Sequence, residues 1–307
     1  MKTIDVSKLT QTQLDKYFVL SVEQDDGLAE FWLESGAKAC DNEEVIMYAI
    51  YNDNVGLLEV LLKEKDLDVN TIVDGMPVWF YSLYDMKYFD KFKKLNLSFI
   101  NEGYHKVTAL EMAYDYNNQE AADILIELGA DVNEITSTGL TLIADIINSN
   151  RYRHQEDTDI KWFDKLIEAG ADINKTLLNN YEEFILYYAI CRRGPNDKII
   201  NKALEAGFDV DFATFRNPHI LICLREYDSI KKLIDYGANV NAKDLAGDSV
   251  LINHLDHVRP NNKIIELLLE NGADPRVPDI YGKTPLRYAR KYGNKEAVKL
   301  IKKYLKK

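Results

Sequence analysis

Apolar residues recur at helical spacing in short segments that end at a glycine. Two such segments are AADILIELGA, residues 121–130, and IIELLLENGA, residues 264–273. Apolar positions three and four residues apart lie on one face of a helix, and glycine readily adopts the left-handed conformation in which many helices end. The Asp and Asn residues that follow favour a turn, because their side chains bond to nearby backbone. The pattern therefore predicts amphipathic helices, each closed by the same stop signal.

The stop signal recurs along the whole chain. Its clearest form is GADVN at residues 129–133, and the related elements follow one another with a mean spacing of about 34 residues. A second marker, an apolar residue followed three positions later by a usually small one, has the same mean spacing; Leu110 with Ala113 is an example. Two markers that share one period indicate a repeated structural unit. The stop signals end at Cys40, Asn70, Asn101, Asn133, Asn174, Asp211, Asn241 and Arg276.

The most regular unit, DIYGKTPLRYARKYGNKEAVKLIKKY at residues 279–304, contains TPLxxA followed by a second apolar helix. This unit resembles the ankyrin repeat, which has a period of about 33 residues and a TPLHxA core; elsewhere the motif is eroded, as in VTALEMA and GDSVLIN. The resemblance covers residues 16–307, as about eight repeats after one degenerate repeat that ends at Cys40. It implies a mainly α fold, a single ankyrin-repeat solenoid of stacked helix-turn-helix units with short β-hairpin-like fingers, preceded by an N-terminal leader at residues 1–15.

The residues of one unit account for its form. Thr284 places a hydroxyl cap before the first helix, and Pro285 suits the first helical position because its ring needs no hydrogen-bond acceptor. Thr108, Thr141 and Ser249 hold the cap position in other units. A single unit cannot bury its apolar face alone, so neighbouring units bury it by stacking. We therefore expect the chain to form a row of similar layers.

Composition and charge narrow the class of function. Of the 307 residues, 46% are hydrophobic and 29% are charged, which is typical of a globular protein. The net charge of −12 argues against a nucleic-acid partner, because phosphate contacts need a basic surface. It favours a protein partner with a basic surface. The charge is uneven, since residues 283–307 carry +9 and residues 1–282 carry −21.

The sequence also indicates a compartment. It contains no apolar run long enough for a membrane span, and its start lacks the apolar segment of a secretory signal. Cys40, Cys191 and Cys223 form no CxxC pair, so we predict reduced thiols. We therefore expect no membrane partner and a cytoplasmic location, or the host cytosol if the protein is a secreted effector.

No sequence motif indicates catalysis or a cofactor. The chain has no glycine-rich phosphate loop, no HExxH and no GxSxG, so we predict no cofactor and no enzymatic activity. His254, Asp256 and His257 come closest to a metal site, but His254 lies in the slot of the small residue and is predicted to be structural. Two alternatives stay open: an enzyme with an unrecognised site in the loop 148–159 and the HLDH segment, and an acidic mimic of nucleic acid.

Partner-binding residues are predicted at the end of the first helix of each unit, which lines the concave groove in ankyrin-like stacks. Five and six residues past each apolar marker lie eight pairs of positions, and five of these pairs contain tyrosine. Tyrosine supplies a large rigid contact area with a polar tip and is enriched at protein interfaces. We hypothesise a ladder of partner-binding tyrosines; the alternative is that each ring packs across its own inter-helix turn. The ladder comprises Tyr51, Tyr84, Tyr116, Tyr227 and Tyr292.

Loops supply further candidates. The loop 148–159 is about eight residues longer than its counterpart in a neighbouring unit, and it is either a partner contact or a tolerated insertion. This loop, Arg192 and the finger tips complete the set of predicted binding residues. We predict that the chain is a non-catalytic protein-interaction scaffold, acting as an inhibitor, immunity protein or effector. The loop candidates are Arg151, Tyr152, Arg153 and His154, and the finger candidates are Tyr104, His105, Tyr181, Phe215, Arg216 and Tyr281.

Overall fold

The computed structural model describes residues 6–24, 27–38, 44–63, 68–98, 100–101, 107–148, 156–175, 185–194, 197–212, 219–256 and 260–306. The chain divides into two compact units, residues 1–138 (unit 1) and residues 139–307 (unit 2). Each unit consists of successive pairs of short helices, so the predicted mainly α repeat fold is confirmed. The single domain predicted for residues 16–307 stays a prediction.

Unit 1 contains helix pairs that stack in series. The first helix of one pair packs on the first helix of the next, and the second helices pack on one another in the same way. One first helix is a 3-10 helix, Val78–Tyr84, which follows an antiparallel hairpin of β1 (Ile72–Val73) and β2 (Met76–Pro77). The α-helices are α1 (Gln11–Gln24), α2 (Ala29–Glu34), α3 (Glu44–Tyr51), α4 (Val55–Leu61), α5 (Met86–Phe92), α6 (Ala109–Asp115) and α7 (Gln119–Glu127), and a 3-10 turn, Val6–Lys8, precedes them.

Unit 2 repeats this two-row arrangement. Its helices are α8 (Leu142–Asn148), α9 (Glu156–Glu168), α10 (Ile185–Arg193), α11 (Lys198–Glu205), α12 (Ile220–Cys223), α13 (Tyr227–Asp235), α14 (Val250–Leu255), α15 (Asn262–Glu270), α16 (Pro285–Lys291) and α17 (Lys295–Tyr304). The first helices α12, α14 and α16 pack in sequence, as do the second helices α13, α15 and α17. Marker residues such as Leu186 and Ala189 are fully buried between these rows. Stacking of layers therefore builds the core, as the sequence predicts.

The glycine after a second helix adopts the predicted left-handed conformation. Gly129 has a φ of 97° and Gly237 a φ of 92°, values that strain any residue with a side chain. A Cβ atom added at either position would meet no other atom within 4 Å. Backbone conformation rather than lack of space therefore requires glycine at these positions.

Two predicted helix caps are confirmed and one is wrong. The Thr108 hydroxyl accepts from the amide of Glu111 at 3.0 Å, and the Ser249 hydroxyl accepts from the amide of Ile252 at 3.3 Å. Thr284 does occupy the position before α16, but its hydroxyl makes no capping bond. The amide of Arg287, which the hydroxyl would cap, bonds instead to the Thr284 carbonyl oxygen at 2.9 Å.

The asparagine that ends a stop signal bonds to the following layer. Asn101 Nδ2 donates to the carbonyl oxygen of Gly129 at 3.0 Å, and Asn101 Oδ1 accepts from the amide of Asp131 at 2.7 Å. The sequence predicts only a local turn bond, and the aspartate makes that one, because Asp131 Oδ1 accepts from the amide of Asn133 at 2.8 Å. One carboxamide thus satisfies a carbonyl and an amide at the next helix end. Asn70, Asn174 and Asn241 make the same pair of interlayer bonds.

One stop signal ends in an aspartate, and its bonding differs accordingly. Asp211 Oδ1 accepts from the amide of Asn239 in the following layer at 2.7 Å, but a carboxylate has no N–H to donate to a carbonyl. The same oxygen lies 2.8 Å from His219 Nε2. His219 also caps α12, since its Nδ1 accepts from the amide of Leu221 at 3.3 Å. This histidine therefore links the stop signal to the helix that follows it.

In the first pair, side chains of α1 bond to the end of α2 within the same layer. Gln11 Nε2 donates to the carbonyl oxygen of Gly36 at 2.8 Å, and Asp15 Oδ1 accepts from the amide of Lys38 at 2.7 Å. These are the two groups that asparagine satisfies in later layers. Because α1 begins at Gln11, the segment predicted as a leader contains the start of the first helix pair.

We expect Asn101→Ala to lower the free energy of unfolding by about 1–2 kcal/mol, because two interlayer hydrogen bonds are lost. Asn101→Asp keeps the acceptor and loses the donor, so its effect is expected to be smaller. Urea unfolding followed by circular dichroism measures both changes. Asn271→Ala is the control, since Asn271 Nδ2 bonds only within its own helix end, to the Leu267 carbonyl at 2.8 Å. An Asn101→Ala effect no larger than that of the control would contradict the interlayer role.

Candidate protein-interaction surface

Four tyrosine side chains of unit 1 form a continuous row. Tyr51 is the last residue of α3, Tyr81 and Tyr84 lie in the 3-10 helix, and Tyr116 directly follows α6. The ring centres of Tyr51 and Tyr81 are 5.7 Å apart at an interplanar angle of 76°, and those of Tyr84 and Tyr116 are 6.1 Å apart at 64°. Both pairs have the edge-to-face geometry that aromatic rings favour. We call Tyr51, Tyr81, Tyr84 and Tyr116 the tyrosine row.

The 3-10 helix connects the two ring pairs. Residues three apart in a 3-10 helix project from the same side, so Tyr81 and Tyr84 are neighbours along the row. The sequence predicts an α-helix here, whereas the structure has a 3-10 helix. Within it, the Ser82 hydroxyl donates to the Trp79 carbonyl at 2.6 Å. The local helix type therefore contributes to the continuity of the row.

Packing between layers fixes the position of the row. The Tyr84 hydroxyl donates to the carbonyl oxygen of Ile50 in α3 at 3.3 Å, and the Tyr84 ring lies 5.2 Å from that of the buried Tyr88. Tyr84 thus packs both against the preceding layer, through Ile50, and across its own inter-helix turn, through Tyr88. Tyr51, Tyr84 and Tyr116 nevertheless remain 62%, 38% and 44% exposed. The row combines fixed geometry with accessible ring surface.

A carboxylate flanks the row at the tip of the hairpin. Asp74 and Gly75 form the two-residue turn between β1 and β2, with φ values of 48° and 85°, as a type I′ turn requires. The Tyr81 hydroxyl donates to the carbonyl oxygen of Val73 at 3.3 Å, which ties the hairpin to the row. Asp74 is exposed, and within the described part of the chain no basic side chain forms an ion pair with it.

The ionisation of the tyrosines reflects these neighbours. Burial, and then the Asp74 carboxylate, raise the pKa of Tyr51. Burial, followed by the nearby Tyr51, Asp74 and Tyr116, raises the pKa of Tyr81 to about 12. Folding therefore favours the protonated phenol of Tyr81. Its contribution to stability is complete below the ordinary tyrosine pKa of about 10 and is lost as the pH rises towards 12.

A second polar cluster lies behind the row. Lys87 Nζ in α5 is 2.5 Å from Asp53 Oδ1, and the Tyr88 hydroxyl donates to the same carboxylate oxygen. The hydrogen bond from Lys87, and then that from Tyr88, lower the pKa of Asp53. Asp53 follows α3, so the cluster joins two layers. It also pairs Lys87, which interacts electrostatically with Tyr84, with a carboxylate.

Unit 2 places its two ladder residues differently. Tyr292 directly follows α16, as predicted, and its hydroxyl donates to Asp256 Oδ1 at 2.5 Å. The sequence predicts Tyr227 at the end of a first helix, but it is the first residue of the second helix α13, so this part of the prediction is wrong. The reason is that α12 stops at Cys223, and Glu226 caps α13 by accepting from two of its amides.

Of the loop and finger candidates and Arg192, the structure describes Tyr281 and Arg192. Tyr281 is 75% exposed at the last finger, and Lys283 Nζ lies 5.4 Å from its ring centre. Arg192 belongs to α10. The other candidates lie outside the described residues: Tyr104, His105, Arg151, Tyr152, Arg153, His154, Tyr181, Phe215 and Arg216.

The histidine of the HLDH segment has a structural bond. His254 is buried, and its Nε2 donates to the Leu221 carbonyl oxygen of the preceding layer at 2.7 Å. Asp256 accepts from Tyr292, and His257 lies outside the described residues. Among the residues that the structure describes, no group of three or more His, Cys, Asp or Glu side chains is placed to hold a metal ion.

Sequence reasoning missed two residues of this surface, Tyr81 and Asp74. Both leave a signal in the sequence. Tyr81 occupies the slot in which four of the eight units place alanine, so a large side chain there marks a departure from the repeat. Asp74–Gly75 is a dipeptide typical of two-residue hairpins. Neither signal shows by itself that the two residues are neighbours.

Comparison with known proteins bears on the repeat architecture. A family model described as ankyrin repeats, in three copies, matches residues 220–307. The resemblance to ankyrin-repeat proteins that the sequence predicts is therefore confirmed. Ankyrin-repeat domains generally serve as protein–protein interaction scaffolds, and ankyrin-repeat proteins are typically non-catalytic; no enzyme family matches this chain. None of the described helices has the combined length and apolar character needed to cross a membrane.

Several proteins named for ankyrin repeats are similar to this chain. One from Acanthamoeba polyphaga mimivirus is 26% identical over 236 residues, which cover 69% of this chain and 30% of the viral protein. One from Escherichia coli strain K12 is 29% identical and covers 57% of this chain and 85% of its own length. One from cowpox virus is 25% identical and covers 97% of this chain and 48% of its own length. The chain thus spans less than a third of the mimivirus protein and about half of the cowpox protein.

Two solved ankyrin-repeat domains are also similar. The domain of human ASB11 has a TM-score of 0.43 at 20% identity and covers 82% of this chain and 95% of its own. The domain of Bcl-3 has a TM-score of 0.48 at 17% identity and covers 83% of this chain and 96% of its own.

We expect the Tyr81 phenol to stay protonated at pH 10.5, where a tyrosine with an ordinary pKa is largely ionised. In Asp74→Asn the Tyr81 pKa is expected to fall, because a negative neighbour that opposes ionisation is removed. The 13C chemical shift of the labelled ring Cζ atom reports both changes. Glu120→Gln, an equal change of charge on the exposed face of α7, is the control. Identical Tyr81 titrations in wild type and Asp74→Asn would contradict the placement of the carboxylate beside the row.

Proposed function

We propose that this chain is a non-catalytic scaffold that binds a protein partner with a basic surface, and that the tyrosine row is its main contact in unit 1. The observation that carries the proposal is the row itself. Three of its rings are partly exposed and are held by contacts between successive layers. Ankyrin-repeat domains generally work as interaction scaffolds, which supports the class of function.

The energetics of binding favour such a row. A flexible side chain loses conformational freedom when a partner immobilises it, at a cost of about 0.5–1.5 kcal/mol for each ordered side chain. Ring contacts and the bond from Tyr84 to Ile50 hold much of this surface in place before binding. Exposed tyrosines that are fixed in advance are therefore suited to act as anchors at an interface.

Charge supports a basic partner. Residues 1–138 contain 26 acidic and 11 basic side chains, a net charge of −15. A negative surface accelerates encounters with a positive partner and disfavours negative ones.

We extend the proposal to Tyr227, Tyr281, Tyr292 and Arg192 of unit 2 and to the loop and finger candidates as secondary contacts. Action as an inhibitor, immunity protein or effector is the finer form of the same proposal.

Affinity capture from cells of the source organism, followed by mass spectrometry, tests the proposal. We expect a basic protein to be retained by the wild-type chain and lost at high salt, because exposed charge attraction is screened. The double variant Tyr51→Ala/Tyr116→Ala is expected to reduce retention at least tenfold, in line with the roughly 1–2 kcal/mol typical of truncated interface anchors. Tyr84 is left intact because its loss would also remove an interlayer bond.

The control is Tyr236→Ala, which removes a tyrosine of similar exposure (39%) that belongs to unit 2, at the end of the second helix α13. Thermal unfolding of all variants excludes loss of structure as the cause. Equal retention by the wild type, the control and the double variant would contradict the role of the row. Retention of an acidic protein or of nucleic acid would contradict the basic partner.

A further inference from the structure

The exposed face of Tyr51 and the Asp74 carboxylate lie at the same end of the tyrosine row. The Tyr51 ring meets Tyr81 edge to face, and the Tyr81 hydroxyl is bonded to the carbonyl of Val73, the residue before Asp74. Tyr81 is only 6% exposed, whereas Tyr51 is 62% exposed. Tyr81 therefore acts as a positioning residue, and Tyr51 and Asp74 present the accessible groups.

These two groups are complementary to one kind of ligand. An aromatic face attracts a cation that lies over it, and a carboxylate accepts hydrogen bonds from the same cation. A guanidinium group suits both, because it is planar, stacks on rings and offers paired N–H donors, whereas an ammonium is a compact, strongly hydrated charge. Within the described residues, no cation of this chain pairs with Asp74, so the carboxylate has no basic partner there.

We propose that Tyr51 and Asp74 form a binding site for an arginine side chain of the protein partner, with the guanidinium stacked on the Tyr51 ring and hydrogen-bonded to the Asp74 carboxylate. This inference rests on the proposed scaffold function and assigns one specific contact within it. The hairpin turn fixes the site: the left-handed backbone at Asp74 and Gly75 places the carboxylate at the tip, and the Tyr81 hydroxyl holds the hairpin against the row.

The site also explains the place of Tyr81 in the fold. Half of the units carry alanine in that slot, which favours close helix packing. Here the slot holds a tyrosine whose hydroxyl bonds to the neighbouring hairpin. Lys87, the basic residue close to Tyr84, is engaged by Asp53 at 2.5 Å. Lys87 is thus paired, whereas none of the described basic side chains forms an ion pair with Asp74, which remains open to a cation from outside.

A peptide titration of the full chain tests the site without knowledge of the partner. The probe is the acetylated, amidated pentapeptide Gly-Gly-Arg-Gly-Gly, and the matched peptides carry citrulline or lysine in place of arginine. Citrulline keeps the shape of arginine and removes its charge. We expect the arginine peptide to shift the NMR signals of the Asp74 amide and the Tyr51 ring, and the citrulline and lysine peptides to shift them much less.

Variants then assign the contribution of each group. We expect Tyr51→Phe to keep the affinity for the arginine peptide and Tyr51→Leu to weaken it about three- to fivefold, since only the latter removes the ring. Asp74→Asn is expected to weaken it about two- to fivefold, as for an exposed ion pair. Glu120→Gln changes the net charge equally at an exposed position of α7 and is expected to have no effect.

Three outcomes would overturn the site: no shift at Asp74 and Tyr51, an equal response to the lysine peptide, or equal effects of Asp74→Asn and Glu120→Gln. The failure of this proposal is distinguishable from failure of the scaffold proposal. If partner capture depends on Tyr51 and Tyr116 while the arginine peptide gives no local shift, the scaffold function stands and only the arginine site is rejected.

Discussion

The structure depends on a side-chain carboxamide that joins one layer to the next. In Asn101 and Asn241, for example, one amide donates to a glycine carbonyl at the following helix end and accepts from the amide two residues later. These backbone groups belong to a chain reversal that no regular secondary structure satisfies. At Asn70, Asn101, Asn174 and Asn241 a short polar side chain therefore completes the hydrogen bonding of the following layer and helps to fix the spacing between the layers. In the first pair, Gln11 and Asp15 of α1 bond to the corresponding carbonyl and amide at the end of α2.

Fixed layer spacing is what allows a surface to be assembled from separate units. Tyr51, Tyr84 and Tyr116 come from three successive layers of unit 1. The Tyr51–Tyr81 and Tyr84–Tyr116 ring contacts, the 3-10 helix that carries Tyr81 and Tyr84, and the bond from Tyr84 to Ile50 join them into one row. The hairpin adds Asp74 to one end of this row. Because the layers are similar in form but differ in surface residues, specificity in such a fold resides in the side chains that the layers present rather than in the fold itself.

The sequence predicts the parts of this structure that local physics determines. The period, the left-handed glycines and the caps at Thr108 and Ser249 follow from residue types that favour one conformation. Features that depend on a second layer are not predictable in the same way. The interlayer bonds of asparagine depend on neighbours distant in sequence. The 3-10 form of Val78–Tyr84 and the early end of α12 accompany local bonds, of Ser82 and of Glu226, that the repeat pattern does not specify. The candidate site follows the same rule: Tyr51, Tyr84 and Tyr116 are found by their position in the repeat, whereas Tyr81 and Asp74 become neighbours only in the folded unit.

Native-state hydrogen exchange at the backbone amides of Asp131 and Asp274 tests the role of the carboxamides most directly. Both amides lie in turns, and each donates to the asparagine of the preceding layer, at 2.7 and 2.8 Å. If the interlayer bonds hold the stack together, these amides exchange at least about a hundredfold more slowly than in an unstructured peptide, because exchange requires the layers to open. Exchange at the rate of an unstructured turn would contradict the account.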